Sequence, residues 1–295
     1  MTVDNLAEPE AEPAPVRIAV AIPCCNEAPA IATVVAQFRA ALPDATIVVY
    51  DNNSTDGTGR IAEELGVRVV AVPQQGKGHV VRAAFADLAD FDVVVLTDGD
   101  GTYPADQAAA LIAPVSAGSA DMTVGARQPA EGAGAMTPTR ALGNILIRVA
   151  FRVLIGPGTT DLLSGYRAFN RRFRTTVELR SAGFEIETEL ASEAVARHLT
   201  VVEIAVPYHP RIAGTESKLR AVRDGWRILL TIVSQGSRLR PHRGLIALLV
   251  PCAVLALTVH WTFALLGALG AMALLRASRY QVRAGRAPGR SDHHE

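Results

Sequence analysis

The chain has 295 residues, enough for one large domain with an appendage or for two small domains. Its 29 basic residues balance 29 acidic ones, so bulk charge argues against a nucleic-acid partner. Three cysteines without a Cys-x-x-Cys pair imply neither a structural zinc site nor a disulfide framework, and point to reduced thiols.

Residues 1–15 carry Asp4, Glu8, Glu10 and Glu12 with no Lys or Arg and no apolar core. Such a stretch reads as a disordered acidic, Pro-rich lead rather than a signal peptide, which keeps the following domain in the cytosol. From Val16 to about Arg127 strand and helix patterns alternate. Strands are expected at Ile18–Ile22, Thr46–Tyr50, Arg68–Val72, Asp92–Leu96 and Met122–Val124. Helices are expected at Ala30–Ala41, Thr58–Leu65, Val80–Leu88 and Asp106–Val115. This alternation predicts an α/β fold with a largely parallel sheet covered by helices on both faces.

A Gly-, Ala- and Pro-rich loop follows at Gln128–Thr139, then a helix at Ala141–Ile155 stopped by Gly156-Pro157-Gly158. A helix over Glu185–His198 and a strand over Thr200–Val206 come next. Leu219–Ser234 is amphipathic and suits either packing on the domain or lying at a membrane surface. Gly244–Leu275 is strongly apolar and free of acids, Lys and Arg, and reads as membrane-embedded. Arginines flank it on both sides and His260-Trp261 sits near its middle, which favours a short hairpin over a single span.

The chemistry gathers where strands end. Asp98-Gly99-Asp100 follows the apolar run Val93–Leu96, so two carboxylates emerge at the carboxyl end of a buried strand. Paired carboxylates there suit a hard divalent cation that also holds substrate phosphates. The first strand ends in Pro23-Cys24-Cys25-Asn26-Glu27 and lacks the Gly-x-Gly-x-x-Gly of a dinucleotide-binding domain. Asp51 closes the second strand, where a carboxylate can accept hydrogen bonds from a ribose or base, and Asp56 is placed to cap the next helix. Gly76-Lys77-Gly78 offers close backbone approach and a point charge for phosphate, or simply a surface turn. In Glu185-Ile186-Glu187-Thr188-Glu189, the helical period puts Glu185 and Glu189 on one face and Glu187 on another.

Asn26-Glu27, the Asp51–Thr58 run, Gly76-Lys77-Gly78, Asp98–Tyr103 and Ser164-Gly165-Tyr166-Arg167 occur in that order. With them the chain resembles family-two glycosyltransferases of the GT-A fold. More narrowly, it resembles the dolichyl-phosphate mannose synthase and bacterial polyprenyl-phosphate glycosyltransferase branch, from about Val16 to Trp226. The resemblance implies a hexose moved with inversion from a UDP- or GDP-linked donor to a polyprenyl phosphate. It also implies Mg²⁺ or Mn²⁺ as cofactor, and a catalytic domain facing the cytosol at the cytoplasmic membrane. The domain plan is then a GT-A domain at 16–235, a basic flank plus membrane-embedded segment at 236–276 and a basic cytosolic tail at 277–295. A homo-oligomer is left open.

Carried over by motif, Pro23, Glu27 and Asp51 hold the nucleoside and Lys77 meets the phosphates. Asp100 binds the metal, with Asp98 beside it supporting the nucleotide or sugar. Thr102 stands where related synthases often carry Gln, so its part as a ligand is open. Arg127 faces the donor phosphates and Glu187 the sugar. Arg140, Ser164, Arg167 and Lys218 meet the acceptor phosphate, and Asn144 and Arg211 lie in the same acceptor-side segments. Two alternatives share these residues: a family-two enzyme acting on a membrane lipid hydroxyl, and a metal-dependent nucleotidyltransferase.

Overall fold

The computed structural model describes residues 15–129, 138–218 and 220–240. Among them runs a seven-stranded sheet in the order β3-β2-β1-β4-β6-β5-β7. The strands are β1 (Ile18–Cys24), β2 (Thr46–Asp51), β3 (Arg68–Ala71), β4 (Val93–Leu96), β5 (Met122–Pro129), β6 (Arg167–Asn170) and β7 (Val201–Tyr208). The helices are α1 (Ala28–Ala41), α2 (Thr58–Glu64), α3 (Lys77–Asp87), α4 (Ala108–Ser116), α5 (Pro138–Leu154), α6 (Arg171–Thr176), α7 (Ile186–Ala196) and α8 (Ala221–Leu239). A 3₁₀ turn at Ala105–Gln107 leads into α4.

Side-chain alternation along β1 divides the core. Val20 and Ile22 point to a layer made by Val34, Val35 and Phe38 of α1, Ala62 of α2 and Leu111 and Val115 of α4. Ala19 and Ala21 point the other way, to Val81 and Phe85 of α3, Phe173 of α6 and Leu190 of α7. Helices thus cover both faces, as the alternation of elements predicts.

The sheet is parallel except for β6, which runs antiparallel to β4 and to β5. Both β6 and α6 escape the sequence reading. A four-residue strand that opens on Arg and closes on Asn has neither an apolar run nor a clean alternation. It exists because Phe169 packs against Phe85 and Phe173, with ring centroids 5.0 Å apart in each pair. β5 outruns its expected end at Val124 because it pairs with β7 from Met122↔Val201 to Pro129↔Tyr208. Gln128 and Pro129 therefore lie on a strand rather than in the expected loop, and Pro138 and Thr139 already belong to α5.

The amphipathic segment near the end forms α8, which runs on to Leu239. Among the described residues no helix is long and apolar enough to cross a membrane. Gly244–Leu275, the acidic lead before Pro15 and the basic tail all lie outside the described residues.

Candidate functional site

Parallel strands deliver their carboxyl ends to one edge of the sheet, where α/β folds bind ligands. Cys24 is in register with Asp51, and Ala21 with Leu96, so the loops after β1, β2 and β4 emerge side by side. Asn52 stitches them together. Its backbone N–H donates to the Cys24 carbonyl at 2.8 Å, its amide donates to the Val72 and Gln74 carbonyls, and its Oδ1 accepts from Gly76 N at 2.7 Å. That last bond fixes the start of α3, and with it Lys77. Gly78 N donates to the Ala182 carbonyl at 2.9 Å, and a Cβ at Gly78 would stand 2.0 Å from the Ser181 oxygen. Only glycine allows that approach.

A cleft opens above these loops. Pro23, Glu27, Lys77, Asp98, Asp100, Arg127, Glu187 and Lys218 all line it, with Arg211, Tyr103, Tyr208 and Leu163 among them. The structure therefore brings together eight residues that the sequence singles out from six separate segments.

Charges in the cleft are paired in alternation. Lys77 Nζ lies 2.5 Å from Asp98 Oδ1 and 2.7 Å from Glu187 Oε1. Burial lowers the lysine pKa, but the two carboxylates more than offset it and hold the ammonium firmly charged. Glu187 is pushed up by burial against the pull of Lys77, and its Oε2 is buried with no hydrogen-bond partner. Asp100 Oδ1 accepts from Thr102 N at 3.0 Å and from Thr102 Oγ1 at 2.7 Å, while Oδ2 meets Arg211 at 2.5 Å. Burial, then the Asp98 charge, raises the Asp100 pKa. Thr102 thus braces the carboxylate. Glu27 is 6% exposed and its Oε2 has no partner; burial pushes its pKa up to about 7 despite the nearby Lys218. Lys218 Nζ donates to the Asn26 and Glu216 carbonyls.

Helix α7 separates its acids as the 3.6-residue period requires. Glu187 enters the cleft, whereas Glu189 accepts from Arg180 N and Ser181 N and Glu185 accepts from Gly183 N. Those two acids hold the 180–183 backbone against which Gly76 and Gly78 pack.

Arg127 is held by a partner that sequence reasoning missed. Asp161 accepts from Arg127 N at 3.0 Å, Nε at 2.7 Å and Nη2 at 2.7 Å, and the guanidinium lies 5.3 Å from the Tyr208 ring centre. Burial alone would raise the Asp161 pKa; the hydrogen bonds and charge of Arg127 reverse that and hold it below its usual range. Glu203 of β7 in turn accepts from Thr160 N and Asp161 N, fixing the loop. Asp161→Asn is expected to destabilise the domain by about 2 kcal/mol and to weaken nucleotide binding, measured by thermal denaturation and nucleotide titration. An unchanged nucleotide affinity would detach Arg127 from the donor.

Other expected residues stand elsewhere. Ser164 and Arg167 are fully buried beneath the cleft instead of facing it. Ser164 Oγ donates to the Gly125 carbonyl at 2.6 Å, and Arg167 spends its guanidinium on the Ser164 and Leu162 carbonyls and the Met122 sulfur. Arg167 opens β6, which is paired on both sides in a sheet whose two faces are both covered, so its side chain is buried and internal acceptors meet it there. Arg167 thereby shapes the loop carrying Leu163. Asp51 sits just outside the cleft lining, accepting from Ser54 N at 3.1 Å with Gly59 packed against its carboxylate. Asp56 accepts from Ala28 N and Thr58 N, so it ties the starts of two helices rather than one. The backbone of Arg140 lies in the first turn of α5; its side chain is outside the described residues.

The donor set fits a hard cation on its own chemistry. Among the described residues no group of three or more His, Cys, Asp or Glu side chains could hold a metal. Of the acids that line the cleft, Asp98 and Asp100 stand two residues apart on one loop, and Mg²⁺ takes one or two carboxylates and completes its shell with phosphate oxygens and water. Arg211 holds the place of positive charge at Asp100 Oδ2.

The open, mostly parallel sheet with an acidic pair at its carboxyl edge is a GT-A-like fold. The glucosyl-3-phosphoglycerate synthase of Mycobacterium tuberculosis, solved with Mn²⁺, UDP-glucose and phosphoglyceric acid, superposes with a TM-score of 0.60 at 21% identity, over 75% of this chain and 80% of that one. The Glycosyl transferase family 2 model matches residues 19–175, and the chain belongs to that family. Glycosyltransferase AglJ of Haloferax volcanii is 37% identical over 229 residues, 78% of this chain and 75% of its own. The polyprenol monophosphomannose synthase of Mycolicibacterium smegmatis is 30% identical over 213 residues, covering 67% of this chain and 79% of its own. The undecaprenyl-phosphate mannosyltransferase of Micrococcus luteus is 27% identical over 215 residues, covering 69% and 87%.

Proposed function

We propose that this family-two glycosyltransferase moves a hexose, with inversion, from a UDP- or GDP-linked sugar to a polyprenyl phosphate at a membrane. One observation carries the reading. Fixed cations (Lys77, Arg127, Arg211 and Lys218) and the Asp98–Asp100 pair line a single cleft at the carboxyl edge of the sheet. That arrangement suits two phosphate-bearing ligands meeting at one carbon. Similarity to the two polyprenyl-phosphate mannosyltransferases supports the acceptor class.

Pro23 and Glu27 would border the nucleoside, with Asp51 just behind them; the unpartnered Glu27 oxygen is open to a ribose or base donor. Asp98 and Asp100 would hold Mg²⁺ or Mn²⁺, which when bound lends positive charge to the departing diphosphate. Arg127, fixed by Asp161, places charge where negative charge develops. Lys77 keeps Asp98 and Glu187 oriented. Lys218, and Arg140 from the start of α5, would meet the acceptor phosphate. That phosphate has a second pKa of about 6 and is largely ionised near neutrality, so it attacks without a strong base. A polyprenyl tail leaves the bilayer only at about 0.8 kcal/mol per CH₂, and the apolar Gly244–Leu275 run suits an enzyme that works at that surface.

Glu187→Gln tests the acceptor. With a phosphate acceptor the loss in kcat stays within about tenfold, since no proton must be removed. A lipid hydroxyl would need general-base help, and the same change would then cost about 10²–10⁴. Turnover of the variant on polyprenyl phosphate and on diacylglycerol separates the two.

A further inference from the structure

Strand order gives the cleft a direction. In β3-β2-β1-β4-β6-β5-β7, the Asp98–Asp100 loop follows β4 in the middle, Arg127 of β5 lies to one side, and the loops after β1, β2 and β3 lie to the other. Those three loops contribute Cys25, Asn52, Gln75 and Gly76 to the lining, beside Pro23 and Glu27. With a diphosphate held at the central acids, the sugar extends towards Arg127 and the base towards the β3 end.

Hydrogen-bonding capacity at the β3 end is unevenly taken. Asn52 donates through its amide to the Val72 and Gln74 carbonyls, and its Oδ1 accepts from Gly76 N. Asp51 stands outside the lining, with Oδ1 accepting from Ser54 N and Gly59 packed against Oδ2. Gln75 differs. Its Oε1 accepts from Asn53 Nδ2 at 3.1 Å. Asn53 is itself fixed, by a left-handed backbone at φ 61° and a 2.8 Å bond from its amide to the Pro73 carbonyl. With Oε1 turned to Asn53, Gln75 Nε2 turns to the cleft residues, and the contacts it makes there are long: 3.4 Å to Asn52 Oδ1 and 3.6 Å to Cys25 Sγ. Gln75 therefore offers a loosely held donor beside an acceptor with one lone pair to spare.

We propose that Gln75 reads the nucleobase and that the base is uracil, which makes the donor a UDP-sugar. This rests on the nucleotide-sugar reading above and names that donor's base. Uracil presents a carbonyl, O4, next to one N–H, at N3. The Gln75 amide satisfies both with two parallel hydrogen bonds. Guanine presents O6, then N1–H, then an amine at C2. Gln75 meets the first two and leaves the amine without an acceptor, because Asn52 Oδ1 already accepts from Gly76 N and Asp51 is outside the lining. A polar group stripped of water and left unpaired discriminates strongly between ligands. A carboxylate at position 75 would accept from both guanine donors; the chain carries an amide there. The unpartnered Oε2 of Glu27 is then met by a ribose hydroxyl.

The test is calorimetric titration of the full chain with UDP and with GDP in the presence of Mg²⁺. UDP is expected to bind about tenfold tighter than GDP, or better. Gln75→Glu replaces the donor by a second acceptor, which repels O4 of uracil and accepts from N1–H and the amine of guanine. It is expected to lower the UDP-to-GDP affinity ratio about tenfold or more. The added charge weakens both diphosphates alike, so the ratio reports on the base and the absolute affinity does not. A Gln75 that merely supports its loop would change both affinities together and leave the ratio where it was. GDP bound as tightly as UDP, or a ratio unmoved by Gln75→Glu, would overturn the inference and leave the transfer reading standing. Binding of neither nucleotide would overturn the transfer reading itself, and the choice of base with it.

Discussion

Replacing Asp100 by Asn is expected to lower kcat/KM at least 10³-fold, about 4 kcal/mol of transition-state stabilisation, while leaving the fold intact. The side chain is buried beside Asp98, and burial with that neighbouring charge already opposes its ionisation. A neutral isostere therefore relieves repulsion. Thr102 N and Oγ1 can still donate to the remaining amide oxygen, and Arg211, about a third exposed, keeps water as a partner. The melting temperature should move by no more than a few degrees. A large activity loss with an unchanged melting curve assigns Asp100 to chemistry. Equal losses in both would make it structural, and full activity would remove it from the metal site.

Lys77→Met is expected to act on stability as strongly as on turnover. The ammonium is the only cation in direct contact with Asp98 and Glu187 among the described residues, and its side chain is 9% exposed. Removing one member of a buried ion-paired group costs about 3–5 kcal/mol, because the partners keep their charge without compensation. In a domain of this size that is a fall of roughly 10 °C in melting temperature. Arg167, which lies close enough to Glu187 to favour its charge, softens the loss but cannot reach Asp98 with its donors already engaged. Pairing Lys77→Met with Glu187→Leu should recover part of the stability, since the more deeply buried carboxylate then leaves with its counter-ion. Activity should not return. If Lys77→Met shifted melting by less than about 2 °C, the triad would be a surface ion pair with ordinary screening.

The sheet was legible wherever an apolar run of four or five residues ended in turn chemistry. Val93–Leu96 followed by Asp98-Gly99-Asp100 is the clearest case, and it sets the site as well as the strand. The division of Glu185, Glu187 and Glu189 between two faces was likewise readable, because a helical period is a local property. β6 was not readable: its existence depends on aromatic packing with Phe85, 84 residues earlier in the chain, and on pairing with strands on both sides. The same gap misplaced Arg167 and Ser164. A motif says which residues travel together, not which of them turn inward, and here the inward pair supports Leu163 from below. Asp161 lay in a segment without periodicity, and its role appears only when Arg127, 34 positions away, is beside it. Asn52 was hidden similarly, since its bonds to Val72, Gln74 and Gly76 join segments that no local pattern relates.

The central claim is that the Asp98–Asp100 pair holds a cation which assists departure of a nucleoside diphosphate from C1 of a hexose. Its most direct measurement is product analysis with a panel of UDP- and GDP-sugars, undecaprenyl phosphate and Mg²⁺ or Mn²⁺, with and without EDTA. The account predicts one lipid-linked hexose for each nucleoside diphosphate released with a single preferred donor, and neither product after chelation. Release of pyrophosphate, or glycolipid formation that survives complete chelation, would contradict it.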